Sequence, residues 1–267
     1  MKLAVIGYPV SHSLSPYLFA RIAEETGIAL RYGREEVRLE ELPAFLQKAR
    51  ERGYDGFNVT MPLKSAAAAL SEEKAAEVVR LGAANTLCIR DGKSVAYNTD
   101  GAGFLLALKS AGAVPDGKRA LILGAGGAAR AIALALAESG AEVRIKNRTP
   151  AHAESVTKLH PRIAVAEEDD FSRADILVNA TPQGMTAAWE TLDYVNLLRR
   201  DALVFDCVYA PRETQLTQAA AARGLPAYNG LPMLAGQAIV AARHFLGVPL
   251  DEQTLLPRLS ASLKTLP

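Results

Sequence analysis

The stretch FNVTMPLKSAAAAL, residues 57–70, puts a lysine where helix electrostatics disfavours one. An extended apolar run containing Phe57 and Val59 ends at Thr60, Pro62 and Lys64 follow, and an alanine-rich helix begins. A cation in the first turn faces the positive end of the helix dipole and costs about 0.3 kcal/mol or more. Helix stability alone would select Asp or Glu, so Lys64 is a candidate for proton donation or for support of a developing negative charge. Asp100 is the carboxylate available to pair with it, and such a pair titrates as one unit. Ser13, Ser15, Thr60, Asn85 and Thr99 add hydroxyls and an amide suited to a small polyhydroxylated acid. Several of these have a second reading. Ser15 can cap a helix beginning at Pro16, Asp100 can cap a helix at 101–112, and capping does not exclude binding. Asn85 and Gln237 can be buried amides satisfied by the backbone. His12, a lone histidine among serines, is left out of the set.

A second group of residues carries phosphate chemistry. LILGAGGAAR (121–130) joins a strand to a helix and supplies Gly124, Gly126 and Ala129, a match to G-x-G-x-x-G/A. The first glycine makes the tight turn, the second admits a pyrophosphate to the backbone, and the small third residue packs helix on strand. The predicted dinucleotide contacts are Gly124, Ala125, Gly126, Gly127 and Ala128, at a helix start whose N–H groups face the phosphates. An NAD site places Asp or Glu about 20 residues on, at the end of the next strand. Here that strand ends in Asn147, Arg148 and Thr149. A guanidinium beside a hydroxyl suits a 2′-phosphate and selects NADP(H); the alternative is a solvated arginine at a strand end.

The elements that must position both groups alternate along the chain. KLAVIG (2–7), GFNVT (56–60), RALILG, AEVRIKNR, RIAVAEE, ADILVNA and DALVFDCV read as strands. Between them run helical patterns, among them 16–27 with Gly27 as its stop, 42–53, 103–113, 233–247 and 252–264. ANTLCIR and SVAYN flank DGK (91–93) as a hairpin across Asp91-Gly92. Such alternation argues for parallel βαβ units, and ligands in open α/β sheets bind outside the carboxyl ends of the strands. The 267 residues suit about two domains. Lys+Arg 30 against Asp+Glu 29 leaves a net charge of +1, which marks no nucleic-acid partner. KLAVIG is too short an apolar run for a secretory signal, and no segment approaches a membrane span. Cys88 and Cys207 have neither metal-ligand spacing nor a disulfide framework, so no metal is expected. The chain reads as soluble and cytoplasmic.

SHSLSP, NVTMPLK, GAANT, YNTDGAGF, GAGGAAR, NRT, NATPQGM, DCVY and NGLPMLAGQ together resemble the shikimate dehydrogenases, in order and along nearly the whole chain. The resemblance implies reversible NADPH-dependent reduction of 3-dehydroshikimate to shikimate, on the pathway to chorismate and the aromatic amino acids. It implies two α/β domains: a substrate domain, 1–101 plus 231–267, with a mostly parallel sheet, and a Rossmann NADP domain, 102–230. The C-terminal helices return to the first domain. Ser13 and Ser15 would hold the substrate carboxylate, and Thr60, Asn85, Asp100 and Gln237 its hydroxyls, with Tyr209 nearby. Lys64, paired with Asp100, would be catalytic, as proton donor or as support for the developing alkoxide. Cys207 and Gly230 would border the nicotinamide, with Thr181 in the same cofactor set, while Asn147, Arg148, Thr149 and His152 would receive the adenosine phosphate. Two positions depart from the family pattern. Pro182 replaces a frequent Ser near the cofactor, and His152 stands where a second Arg often follows NRT.

Three alternatives stay open beside this reading: an NAD-using quinate/shikimate dehydrogenase, a non-catalytic shikimate-binding protein, and a dehydrogenase for another hydroxy acid. The first favours an acidic residue near Arg148, the second can dispense with Lys64 or Asp100, and the third has no need of the serine pair. A homodimer is left open, because no heptad or exposed edge is identifiable.

Overall fold

Leu3, Val5 and Ile6 make β1 (Lys2–Gly7) an apolar strand buried along almost its whole length, and the first sheet is built outwards from it. In this computed structural model, which describes residues 1–185, 188–189 and 192–266, the chain divides into two units. Unit 1 is Met1–Gly103 with Ala235–Pro267, and unit 2 is Phe104–Leu234.

In unit 1, β1 leads to α1 (Ser15–Thr26), β2 (Arg31–Glu36), α2 (Leu42–Glu51), β3 (Gly56–Val59) and α3 (Lys64–Leu70). Then come β4 (Glu73–Lys74), α4 (Ala76–Leu81), β5 (Thr86–Arg90), β6 (Lys93–Tyr97) and the start of α5 (Asp100–Ser110). The six-stranded sheet has the order β2-β1-β3-β5-β6-β4. All pairings are parallel except those of β5 with β3 and β6. The reversal of β5 follows from its hairpin: Asp91 (φ 49°) and Gly92 (φ 76°) are both left-handed, as a two-residue type I′ turn demands. Phe57, Leu87, Leu63 and Ala67 fill the core on this sheet.

Unit 2 continues from α5 through β7 (Arg119–Leu123), α6 (Gly127–Glu138), β8 (Glu142–Lys146), α7 (Pro150–Thr157), β9 (Ile163–Val165) and α8 (Asp170–Arg173). β10 (Ile176–Asn179), β11 (Leu203–Asp206), α9 (Gln215–Ala222) and β12 (Ala227–Tyr228) follow, and α10 (Leu231–Leu246) leads back to unit 1 and α11 (Glu252–Lys264). The second sheet is wholly parallel, in the order β12-β11-β10-β7-β8-β9. Counted from β7 this is the Rossmann order 3-2-1-4-5-6, whose switch point lies between β7 and β10. Ala129, Ile132, Ala133 and Leu136 bury one face of α6 in the core that holds Ile122 and Val143. The alanines permit this close approach of helix to sheet.

The sequence reading needs three corrections. β2 was not expected: RYGREE is too polar to read as a strand, and it forms because the edge of the sheet beside β1 is open to it. Ser15 is the first helical residue of α1 rather than its cap; Leu14 holds the cap position, and the Ser15 N–H donates to Ser13 Oγ at 3.3 Å. The helix expected from residue 103 starts at Asp100, whose carboxylate is turned to side chains rather than used as a cap.

Candidate active site

In unit 1 four segments reach one end of the sheet. The loops after β1, β3 and β6 leave from carboxyl ends, and the reversed β5 brings its amino end, with Asn85 just before it, to the same place. That geometry gathers the serine loop, Thr60, Lys64, Asn85 and Asp100. Lys64 is the first residue of α3, and its Nζ donates to Asp100 Oδ2 at 2.5 Å. The lysine side chain is 27% exposed and the aspartate 12%, so the pair is sheltered but open on the lysine side. Asn85 Nδ2 donates to the other carboxylate oxygen, Oδ1, at 2.8 Å and also to Thr99 Oγ1 at 3.0 Å. The Thr99 N–H donates back to Asn85 Oδ1 at 2.8 Å.

Main-chain bonds fix Asn85 as well: its N–H donates to the Tyr97 carbonyl, and its carbonyl accepts from the Val59 N–H. An ion pair partly withdrawn from water outweighs a dipole cost of about 0.3–1 kcal/mol, so Asp100 accounts for how a lysine is tolerated at this helix start. It does not account for why a lysine is used, because two apolar side chains would pack there at no such cost.

The serine loop is held from β2. Arg34 Nη2 donates to the Ser13 carbonyl at 2.8 Å, and on the same strand the Tyr32 phenol is pushed well above its ordinary pKa by burial. Thr60 directly follows β3, with its N–H donating to the Ile6 carbonyl. Gln237 rides on α10 where that helix crosses α5 at two glycines. A Cβ on Gly103 would lie 2.4 Å from the Gln237 backbone nitrogen, and one on Gly236 would lie 2.5 Å from the Gly103 carbonyl oxygen. Only glycine at both positions lets Gln237 sit one helical turn from Asp100. Tyr209 belongs to unit 2.

In unit 2 the loop Gly124–Gly127 joins β7 to α6. Gly124 has φ 110°, and a Cβ there would stand 3.0 Å from the Ala180 carbonyl oxygen and from the Thr181 methyl. A Cβ on Gly126 or Gly127 would meet no protein atom within 4 Å, so that side of the loop is free for a phosphate. No side chain caps α6 at Gly126, leaving its first-turn N–H groups for a ligand. Asn147, half-buried, donates from Nδ2 to the Thr149 carbonyl at 2.9 Å, and Arg148, Thr149 and His152 are exposed around the start of α7. A Cβ on Gly230 would come within 2.1 Å of the Cys207 carbonyl oxygen, so these two positions are in direct contact. The glycine cradle, the free helix start and the guanidinium fit a dinucleotide bearing a 2′-phosphate.

The profile of the "Shikimate dehydrogenase substrate binding domain" matches residues 5–87, and that of "Shikimate / quinate 5-dehydrogenase" matches residues 106–215. A curated Thermus thermophilus shikimate dehydrogenase (NADP(+)) is 42% identical over 251 residues, 94% of each chain. The chain belongs to the shikimate dehydrogenase family. The crystal structure of a Thermus thermophilus shikimate 5-dehydrogenase in complex with NADP(H) and shikimate superposes with TM-score 0.89 at 37% identity, covering 98% of this chain and 99% of that one. The ligand-free 5-ketofructose reductase of a Gluconobacter strain superposes with TM-score 0.87 at 30% identity, covering 98% of each chain.

Within this shikimate dehydrogenase architecture the structure adds residues that sequence reasoning did not single out. Tyr32 carried no signal, since its strand was not expected. Asn58 did carry one: it is a buried amide inside the otherwise apolar strand GFNV. Asp206 is fully buried at the end of β11. Its Oδ1 accepts from Asn179 Nδ2 at 2.8 Å and from the Val208 N–H at 3.0 Å, and its Oδ2 accepts from Thr214 Oγ1 at 2.6 Å. Thr214 caps α9, and Asn179 Oδ1 accepts from the Thr181 N–H and hydroxyl. One carboxylate thus ties together the ends of β10 and β11, the loop at Thr181 and the start of α9.

Burial raises the pKa of Asp206 despite these bonds. A carboxyl that holds its proton more tightly folded than unfolded contributes stability below the unfolded value, about 3.9, and loses it as pH rises through the folded one. The Tm of the wild type relative to Asp206→Asn should therefore fall as pH is raised from about 4. Thermal melts across pH check this, and parallel profiles for the two proteins would contradict it.

A polar hollow of about 390 Å³ lies at the opposite, amino-terminal end of the unit 2 strands, lined by Arg119, Arg173 and Arg199 among others. Each of these guanidiniums is already paired with a carboxylate, which argues against an anion site there.

Proposed function

We infer that the chain is an NADP-dependent shikimate dehydrogenase that reversibly reduces 3-dehydroshikimate to shikimate, with Lys64 and Asp100 as its catalytic pair. The observation that carries this reading is the Lys64–Asp100–Asn85 cluster at the ligand-binding end of the unit 1 sheet. Unit 1 is the substrate domain in this reading and unit 2 the NADP domain. Ser13 and Ser15 hold the substrate carboxylate; Thr60, Asn85, Asp100 and Gln237 hold its hydroxyls, and Tyr209 belongs to the same substrate set. Gly124 to Ala128 receive the pyrophosphate of NADP(H), Cys207 and Gly230 border its nicotinamide, Thr181 belongs to the same cofactor set, and Asn147, Arg148, Thr149 and His152 take its 2′-phosphate. The bound nucleotide supplies the hydride. The protein must then manage the negative charge that forms on the substrate oxygen.

Lys64 is the group for that. Its ammonium donates a hydrogen bond to the oxygen as charge develops and passes a proton to it, and in the reverse direction the neutral amine takes that proton from the shikimate hydroxyl. Asp100 holds the ammonium in place from one side and accepts from a substrate hydroxyl, while Asn85 prevents the carboxylate from turning away. The serine pair distinguishes an acid from a neutral sugar.

Every residue in these assignments comes from one chain; a homodimer would carry two such sites. The cytoplasm is the proposed compartment, and no helix among the described residues is long and apolar enough to cross a membrane. The test is incubation of the purified protein with 3-dehydroshikimate and NADPH, with products separated by chromatography and mass spectrometry. Shikimate formed in equal amount to the NADPH consumed is the expected result. NADPH stable in the presence of 3-dehydroshikimate sinks the reading.

A further inference from the structure

Behind the Lys64–Asp100 pair a line of buried side chains runs across the unit 1 sheet, from β6 and β5 through β3 to β2. Thr86 Oγ1 donates to Asn85 Oδ1 at 3.0 Å, and Asn58 Nδ2 donates to Thr86 Oγ1 at 3.2 Å. The same Asn58 nitrogen lies 3.5 Å from the Asn85 carbonyl oxygen, so it faces two acceptors, which orients the amide with Oδ1 towards β2. There Tyr32 donates its hydroxyl hydrogen to Asn58 Oδ1 at 2.7 Å. Asn58, Thr86, Asn85 and Thr99 are all buried, so water has little access to replace a missing link. The phenyl ring of Tyr32 is itself stacked on Phe19, with centroids 4.3 Å apart, which leaves the hydroxyl one position to occupy.

We propose that Tyr32 is a positioning residue that orients the catalytic pair through Asn58, Thr86 and Asn85. In physical terms the relay sets the orientation of one amide. Asn85 can hold Asp100 through Nδ2 only while its Oδ1 is occupied on the far side, by Thr86 and the Thr99 N–H. Thr86 is oriented by Asn58, and Asn58 by Tyr32. Removing the Tyr32 hydroxyl leaves a buried Asn58 oxygen unpaired, and the cheapest relief is rotation of amides along the line. Asp100 then loses its second anchor, and Lys64 its fixed partner. The proposal rests on the functional reading for its catalytic consequence, but the relay itself is a property of the unliganded protein.

The experiment exploits that separation. Competitive acetylation of the unliganded protein with a trace of acetic anhydride, read by mass spectrometry, gives the reactivity of Lys64 relative to the exposed Lys93. In Tyr32→Phe, Lys64 should react at least threefold faster than in the wild type, because the Asp100 clamp is loosened. Tyr32→Phe combined with Asn85→Ala should react no faster than Asn85→Ala alone, since both act through the same amide. With shikimate and NADP, Tyr32→Phe should lower kcat about tenfold and leave the KM for NADP unchanged, a split that general destabilisation does not produce. Thr86→Val, nearly isosteric, breaks the line one link closer and should reproduce the labelling result if Tyr32→Phe folds poorly. Wild-type reactivity of Lys64 in both single variants overturns the relay, whatever the kinetics. Labelling as expected in a protein that does not oxidise shikimate would uphold the relay and overturn the proposed function.

Discussion

Lys64→Ala is expected to lower kcat by roughly 10²–10⁴-fold, the range for a positioned acid or base, while the KM for shikimate changes little. The structure argues for this split. The ammonium is anchored on Asp100 and remains partly exposed, so it is available to an atom arriving from the open side. In the proposed function, ground-state affinity would rest instead on the serine loop, Thr60 and Gln237, which the substitution does not touch. Loss of the lysine also leaves Asp100 without its counter-charge, yet Asn85 still donates to it, so the site need not collapse. Removing the charge relieves α3 of an unfavourable first-turn cation, which offsets part of the lost ion pair in stability. The Tm is therefore expected to move far less than the rate. Initial rates at saturating NADP decide the matter: a raised KM with an unchanged kcat would make Lys64 a binding residue.

Gly124→Val should weaken NADP binding by about 100-fold or more, with shikimate affinity within a factor of two of the wild type. A branched side chain at φ 110° is strained by about 1–3 kcal/mol. Its Cβ would already touch the Ala180 carbonyl and the Thr181 methyl at 3.0 Å before the two further methyls are placed. Overpacking of that kind costs about another 1–3 kcal/mol. The relief available is to move the loop, and in the proposed cofactor site the loop would aim the α6 N–H groups at a pyrophosphate. At about 1.4 kcal/mol per tenfold in affinity, a hundredfold loss needs about 2.8 kcal/mol, which lies within the combined range of about 2–6 kcal/mol. Titration calorimetry with each ligand alone separates the outcomes. Equal losses for NADP and shikimate would point to general damage, and unchanged NADP affinity would remove the glycine loop from the cofactor site.

Periodicity and turn chemistry made the second sheet legible in the sequence. β7, β10 and β11 are short apolar runs closed by polar residues, as strands covered on both faces are, whereas β8 alternates as EVRIK. The glycine loop was legible for a related reason: only a phosphate or a tight turn asks for three small residues at that spacing, and the strand before it supplies the context. Lys64 stood out because it opposes the helix dipole, a conflict between local preference and the residue present. Asp100 stood out less, since a carboxylate at a helix start is also what a cap looks like; only its bonds to Lys64 and Asn85 show otherwise.

Tyr32 and β2 were not legible at all. RYGREE has no apolar face, and its strand conformation comes from six residues of pairing with β1, a long-range fact that no local pattern encodes. Asp206 escaped for the opposite reason. A charged residue closing an apolar strand reads as the start of a loop, whereas here it is fully buried and accepts from three donors, one of them Asn179 on the neighbouring strand.

Substrate and cofactor choice are tested together by kcat/KM for shikimate and for quinate, each paired with NADP and with NAD, followed at the absorbance of the reduced nicotinamide. Arg148 and Thr149 without a neighbouring carboxylate predict NADP over NAD, and the serine loop with the Lys64–Asp100 pair predicts shikimate as the substrate. The expected result is therefore turnover highest for shikimate with NADP, with both changes of partner costly. Turnover of quinate with NAD as fast as shikimate with NADP, or no turnover in any of the four pairings, would contradict it.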